Sequence, residues 1–258
     1  MNLPLSPVIL TRLEKAAVDN GFDQALPREG DWLGFSSTQC PLRIWLGNGV
    51  DGMLLAAFSR HNVALAVGDF GGALPTPLPA GAFGGRTVAD IPTLHRLLRR
   101  AFQLSRTLPD ELLQAFARRT AALPKTTEAE RLVVQRVGQD LFRQGLLEYW
   151  DGRCAVTGLD VTALLRASHI KPWAACANDA ERLDVFNGLL LAPHLDAAFD
   201  AGFLTIADDG TVLVAAVLEA VARQLLGLAP PLRVRALAEE HRSYLEWHRE
   251  RVFRGLEA

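Results

Sequence analysis

A long amphipathic segment near the middle of the chain, EAERLVVQRVGQDLFRQGLLEY at residues 128–149, most constrains the fold. Its apolar residues recur at helical spacing, which predicts one long α-helix. Pro124 precedes this segment, and Thr126 or Thr127 can cap the new helix ahead of glutamates in its first turn. Because a proline break and a fresh helix start meet here, the pattern predicts a domain boundary near residue 125.

The first predicted domain, residues 1–125, mixes helical and strand patterns. Residues 7–20 have the spacing of a helix that ends at a glycine. Short apolar runs separated by turn signals then predict a small antiparallel sheet over residues 31–68. These runs are DWLGFSS, CPLRIWLGNG, MLLAAFS and NVALAVG. Residues 69–87 are dense in glycine and proline, which indicates a loop. Helical spacing returns at residues 88–105 and 109–123. We therefore expect an α+β domain.

Net charge, cysteine spacing and the distribution of apolar residues indicate which kinds of binding partner and compartment suit this chain. The formal net charge of −2 argues against binding nucleic acid through bulk charge, although a local basic face remains compatible with it. The three cysteines are far apart and no CxxC occurs, so neither a disulfide framework nor a zinc knuckle is expected. The chain shows neither a signal-peptide pattern nor an uncharged stretch of transmembrane length. We expect a cytoplasmic protein without a membrane partner.

A cluster of polar residues in the second predicted domain, residues 126–258, points to hydrolytic chemistry. His169 ends the apolar segment VTALLRASHI, and Asn187 opens NGLLLAPHLDAAFD. On a helix, Asp196 and Asp200 lie four residues apart and share a face, although for Asp200 a structural role at the helix end or in a loop is the favoured interpretation. A neutral imidazole beside a carboxylate-held cation is the set of groups needed to hydrolyse a phosphodiester. An oxygen-rich site suits Mg²⁺ or Mn²⁺, whereas imidazole ligands would also accept Zn²⁺ or Ni²⁺.

The motifs CAVTG, ASHIKPW and NGLLLAPHLDAAFDAGF, in this order, resemble the HNH endonuclease family of the ββα-metal superfamily. The preceding segment, TEAERLVVQRVGQDLFRQGLLEYWDGRCAVTG, is similar to the lead-in of HNH proteins from bacterial restriction and defence systems. The resemblance covers about residues 126–258. It implies a ββα-metal domain with flanking helices and an enzyme that hydrolyses DNA phosphodiester bonds with a divalent metal ion, Mg²⁺ first among the candidates.

The resemblance also implies roles for individual residues. His169 matches the general base, and Asn187 matches the asparagine that ties the loop together and orients that base. Asp196 matches the metal ligand on the helix, with His194 as the competing candidate. Many members carry an aspartate or histidine directly before the base as the other ligand. Here that position is Ser168, a poor ligand, which leaves the number of metal ligands open.

Four basic residues are candidates for contact with nucleic acid. Arg166 and Lys171 flank His169 and could meet a phosphate. Arg136 and Arg143 repeat on one face of the predicted long helix, where a solvated stripe is the competing interpretation. The expected partner is double-stranded DNA, and a homodimer would suit cleavage of both strands. The first domain would then be a DNA-recognition module.

Two alternative functions remain open at this point. Ser168 and the acidic balance of the second domain are compatible with a DNA-binding protein whose HNH fold no longer cleaves. The same arrangement of groups can also attack RNA, which would make the chain an RNA-directed or toxin nuclease. Substrate comparison separates these alternatives from a DNA endonuclease.

Overall fold

The computed structural model describes residues 2–75, 77–124, 126–228, 232–234 and 237–255. The chain divides into two compact units, Met1–Arg106 and Thr107–Ala258. The division differs from the boundary expected near residue 125, a position that lies outside the described residues. The helix Pro109–Thr120 belongs to the second unit because it packs against the helices Glu128–Tyr149 and Asp179–Leu183 of that unit.

The first unit contains helices α1, α2 and α3 and strands β1 to β7. The helices are Pro7–Asp19, His61–Ala66 and Ile91–Thr107. The strands are Asn2–Leu3, Gln24–Ala25, Leu33–Ser36, Ile44–Gly49, Leu54–Phe58, Gly72–Ala73 and Gly84–Val88. Within the described residues these strands form one antiparallel sheet in the order β2-β3-β4-β5-β7-β6, and β1 pairs with β4.

The middle of this sheet is buried. Every residue of β5 is buried, and β4 pairs along its length with β5 from Ile44 opposite Phe58 to Asn48 opposite Leu54. Helix α1 begins at the cap Ser6 and contributes buried apolar side chains to the same core. Burial of such apolar surface supplies most of the stabilisation of a unit of this size.

The structure confirms strands in the predicted sheet region but corrects two expectations beside it. The run NVALAVG lies in and just after helix α2 instead of a strand, because Val63, Ala64 and Val67 are buried at helical spacing. The predicted loop at residues 69–87 contains β6 and most of β7. Its glycines serve close strand packing, since a Cβ on Gly85 would clash with the carbonyl oxygen of Ala56 on β5.

The second unit is built around the predicted long helix. Its helices α4 to α9 are Pro109–Thr120, Glu128–Tyr149, Asp179–Leu183, Pro193–Asp200, Ala220–Leu225 and His241–Arg251. Its strands β8 to β11 are Arg166–His169, Gly188–Leu191, Leu204–Ile206 and Val212–Val214. Helix α5 starts with a capping box in which Thr127 and Glu130 bond each other's backbone amides. The predicted start and extent of this helix are confirmed.

Helix α5 packs closely on the β8–β9 hairpin, where His169 pairs with Gly188. A Cβ on Gly188 would lie 2.5 Å from the ring of Phe142, so only glycine allows this approach. The indole of Trp150 also donates to the Gly188 carbonyl oxygen at 3.3 Å. The architecture is α+β in both units, as the sequence predicts. None of the helices in the described ranges has the length and apolar character to cross a membrane.

Candidate active site

A hairpin followed by a helix places the polar residues singled out in the sequence. His169 is the last residue of β8, Asn187 directly precedes β9, and helix α7 begins after one intervening residue with Pro193. A proline at the first helical position fits because its missing N–H would have no helical partner there. This strand–strand–helix order brings the end of β8 and one face of α7 to the same cavity.

The cavity has a volume of about 470 Å³ and is lined by residues from β8, the turn that follows it, α7 and α9. Its polar lining consists of Arg166, Ser168, His169, Asp196, Asp200 and His248. The ring of Trp173 forms part of its wall. The structure therefore collects three of the five predicted catalytic and metal-binding residues around one space, together with Asp200.

The imidazole of His169 is fixed on several sides. Its Nε2 donates to the backbone carbonyl oxygen of Arg182 at 2.9 Å. The ring of Phe142 stacks on it, with centroids 3.7 Å apart, and Trp173 meets it edge-on. Because a carbonyl oxygen only accepts, Nε2 carries the hydrogen and Nδ1 presents a lone pair. Burial lowers the pKa of His169, which favours the neutral ring, although the bond to Arg182 opposes this shift.

Asn187 is completely buried and ties the turn after β8 to the start of β9. Its Oδ1 accepts from the Lys171 amide at 2.7 Å, and its Nδ2 donates to the carbonyl oxygens of Lys171 and Glu181. These bonds join the backbone of Lys171, two residues after His169, to the backbone of Glu181, which precedes Arg182. Asn187 thus stabilises the segment that supplies the Arg182 carbonyl, which orients the imidazole.

Two carboxylates, Asp196 and Asp200, line the cavity from α7, although the sequence favours a structural role for Asp200. Ser168, which is almost fully buried, donates its hydroxyl to Asp200 Oδ1 at 3.3 Å. Although Asp200 as a residue is exposed, its carboxyl group is partly desolvated. This desolvation raises the pKa of Asp200, and the negative charge of Asp196 raises it further, whereas the Ser168 bond lowers it. The two carboxylates therefore repel each other in one cavity.

This donor set fits a hard divalent cation held mainly by water and substrate. No group of three or more histidine, cysteine, aspartate or glutamate side chains in the described ranges could hold a metal ion. Mg²⁺ is commonly bound by one or two carboxylates plus phosphate oxygens, and Asp196 and Asp200 are the carboxylates in the cavity lining that could hold such an ion. His194 is exposed and is absent from the cavity lining, while Ser168 already bonds Asp200.

The predicted nucleic-acid contacts separate into different groups. Arg166 is exposed at the cavity. Lys171 forms an ion pair with Glu181 at 2.8 Å. Arg143 donates to the carbonyl oxygens of Leu165 and Thr162, so it braces the loop before β8. Arg136 is exposed on α5 away from the cavity lining.

Sequence reasoning missed three side chains that shape the site. Phe142 and Trp173 enclose His169, and His248 of α9 also lines the cavity. Phe142 belongs to the apolar face of α5, which predicts core packing without revealing its partner. His248 lies far along the chain from His169 and Asp196, and nothing in its spacing links it to α7.

One comparison with known proteins agrees with this geometry. Residues 154–207 match the family model described as HNH endonuclease. The matched segment contains the β8–β9 hairpin and α7 with His169, Asn187 and Asp196. No curated protein matches the chain. Residues 154–207 of the second unit are therefore similar to HNH endonucleases.

Proposed function

We propose that the chain is a metal-dependent endonuclease that hydrolyses phosphodiester bonds of double-stranded DNA. The observation that carries this proposal is the shared cavity of His169, Asp196 and Asp200. It supplies a neutral imidazole with a free lone pair beside two carboxylates suited to a divalent cation. The restriction or defence setting rests on the lead-in formed by α5 and the residues after it.

His169 acts as the general base in this proposal. Its Nδ1 takes a proton from a water molecule that attacks the scissile phosphorus in line with the leaving 3′-oxygen. The stacked Phe142 and the bond to the Arg182 carbonyl hold the ring plane while it accepts this proton. The lowered pKa keeps the ring neutral, and therefore able to act as a base, at neutral pH.

Asp196 and Asp200 would hold the divalent cation, and Mg²⁺ is the ion we propose. When bound, such an ion offsets charge on the phosphoryl oxygens and on the leaving oxygen. Ser168 holds the Asp200 carboxylate in place through its hydroxyl instead of binding the ion itself. Between the two candidates on α7, Asp196 takes the ligand role because it lines the cavity and His194 does not.

Arg166 is the proposed contact to the DNA backbone at the site, since this residue is exposed, lines the cavity and carries a guanidinium group that suits a phosphate. Arg136 would provide a second contact to the DNA backbone on the exposed face of α5.

The first unit serves as a module for recognising DNA. A homodimer would present two such sites to opposite strands. The three free cysteines suit a reducing compartment such as the cytoplasm.

The proposal is tested by incubating the purified protein with duplex DNA, single-stranded DNA and RNA of one sequence. Each substrate is combined with EDTA, Mg²⁺, Mn²⁺, Ni²⁺ or Zn²⁺. We expect cleavage of duplex DNA with Mg²⁺ or Mn²⁺ and none with EDTA, leaving 5′-phosphate ends. Faster cleavage of RNA would reassign the substrate. Binding of duplex DNA without cleavage in any metal would contradict the enzymatic role.

A further inference from the structure

Helix α9 contributes to the cavity although it lies outside the segment that matches the family model. The match ends at residue 207, whereas His248 of α9 and Val252 just after it line the cavity. His248 is itself 1% exposed. A histidine at a catalytic cavity can act as a base, hold a metal ion or position another group, and its partners decide between these roles.

Both ring nitrogens of His248 are engaged with protein atoms. Nε2 lies 3.2 Å from the carbonyl oxygen of Phe199 and donates to it, while Nδ1 accepts from the Thr205 hydroxyl at 3.0 Å. The imidazole also stacks on the Phe199 ring, with centroids 3.8 Å apart and planes 12° apart. With no free lone pair, His248 is suited to hold its neighbours and unsuited to accept a proton or bind a metal ion.

Of the two residues that His248 bonds, Thr205 lies on β10 and Phe199 lies at the end of α7. This helix has only eight residues, and its N-cap Ala192 provides no side-chain hydrogen bond. Such a short helix depends on tertiary contacts, and its last carbonyls need partners. His248 supplies one to Phe199, the residue directly before Asp200.

The residues after α9 hold the same end of α7. Arg254 Nε donates to the carbonyl oxygen of Ala201 at 2.8 Å, and the Arg254 amide donates to the carbonyl oxygen of Gly202. Gly202 has a φ of 73°, and a Cβ there would clash with the carbonyl oxygen of Val252. The chain from His248 to Arg254 therefore lies directly against residues 199–202 and leaves little freedom to the residue between them, Asp200.

We propose that His248 is a positioning residue that fixes the last turn of α7 and, with it, the Asp200 carboxylate at the active site. The expectation that loss of His248 weakens metal binding rests on the proposed function. The expectation that loss of His248 loosens the last turn of α7 does not. On this account a working site needs α9 in addition to the strand–strand–helix segment.

Three variants separate positioning from general stability. His248→Phe keeps an aromatic ring against Phe199 but removes both hydrogen bonds. His248→Gln can restore a donor and an acceptor and is the conservative rescue. His241→Phe is the matched control, because His241 is another fully buried histidine of α9 that packs on Tyr149, Trp150 and Phe186 instead of α7.

The first readout is amide hydrogen exchange of residues 195–203, measured by mass spectrometry without metal or DNA. We expect exchange roughly five- to tenfold faster in His248→Phe, as the loss of buried hydrogen bonds predicts. His248→Gln should recover most of the protection, and His241→Phe should match the wild type in this segment. Equal exchange in His248→Phe and the wild type would overturn the positioning role, whatever wild-type cleavage shows.

The second readout is the dissociation constant for Mn²⁺, measured by calorimetry on the folded proteins. Loss of a group that orients a metal ligand typically weakens metal binding by about 10- to 100-fold. We expect a shift of this order in His248→Phe and no shift in His241→Phe. An unchanged constant in His248→Phe, with wild type binding Mn²⁺, would contradict the link between His248 and Asp200. Absence of Mn²⁺ binding in the wild type would instead contradict the proposed function.

Discussion

The ring of Phe142 stacks on the imidazole of His169, with centroids 3.7 Å apart and planes 13° apart. Phe142 belongs to α5, which precedes the segment that matches the family model, while His169 lies within it. The imidazole of His169, the proposed general base, is therefore in contact with a helix that the matched segment does not contain. Helix α5 therefore shapes the candidate active site as well as the core.

Replacing Phe142 with leucine should slow cleavage and shift its pH dependence. The smaller side chain removes the stack and admits water, so the pKa of His169 should rise towards its ordinary value. Because the base must be neutral, the acidic limb of the rate profile should then move to higher pH. We expect roughly a fivefold loss of rate at neutral pH, in line with an aromatic contact of about 1 kcal/mol.

The matched control for this change is Phe116→Leu, which alters another buried phenylalanine of the same unit. It should lower the Tm without moving the acidic limb. Steady-state cleavage from pH 5 to 8 measures both variants. If the limb of Phe142→Leu coincides with that of the wild type, the ring does not control the environment of His169.

Much of this site could be predicted from the sequence because its chemistry is local. His169, Asn187 and Asp196 lie within a short stretch of the chain, and the resemblance of its motifs to the HNH family implies that they belong to one site. The capped start of α5 is equally local. By contrast, Phe142 and His248 reach the site only through packing of distant helices. The spacing of apolar residues shows that a helix is buried without showing what it covers.

The errors in the first unit have a similar physical origin. Glycine is typical of turns, but in β7 it permits contact with the neighbouring strand, and only the pairing reveals this use. In NVALAVG a short apolar run was compatible with both a strand and a helix, and burial on one helical face decided the outcome. Lys171 and Arg143 also show that a basic residue near a site can be engaged internally.

Acid should destabilise the folded protein through two buried histidines. Burial lowers the pKa of both His241 and His248 to about 4. Below about pH 6.5 the unfolded chain therefore binds protons at these two histidines that the folded protein does not bind. The contribution of these two histidines to the free energy of unfolding should therefore be constant above that pH and be lost between pH 6.5 and 4. Each histidine contributes a slope of about 1.4 kcal/mol per pH unit there.

Urea unfolding at pH 7, 6 and 5 measures this slope. His241→Phe should reduce the slope, because the phenylalanine keeps the aromatic contacts and cannot be protonated. A slope equal to that of the wild type would show that His241 is not held neutral in the fold.

Asp196 and His194 should differ sharply in their effect on cleavage. Asp196→Asn removes a carboxylate from the cavity, and we expect at least roughly a hundredfold loss of rate together with weaker Mn²⁺ binding. His194→Ala changes an exposed side chain outside the cavity and should alter the rate less than about twofold. Cleavage rates across a Mg²⁺ titration measure both. The opposite ranking would transfer the ligand role to His194.

Arg166 and Lys171 should separate DNA binding from stability. Arg166→Ala should raise the Kd for duplex DNA and reduce by about one the slope of log Kd against log salt concentration. Lys171→Met breaks the ion pair with Glu181, so it should lower the Tm and leave the slope unchanged. The control is Arg251→Ala, which removes an exposed charge of α9 outside the cavity. Equal effects of Arg166→Ala and Arg251→Ala would exclude a specific phosphate contact.

The most direct test of the central claim is cleavage of supercoiled plasmid by the wild type and by His169→Ala, each with Mg²⁺, Mn²⁺ or EDTA. We expect the wild type to cut only with metal and His169→Ala to be slower by about 10²- to 10⁴-fold. The variant should retain wild-type Mn²⁺ affinity and duplex binding, since its carboxylates and Arg166 are unchanged. Equal cleavage by the two proteins would contradict the assignment of His169 as the general base.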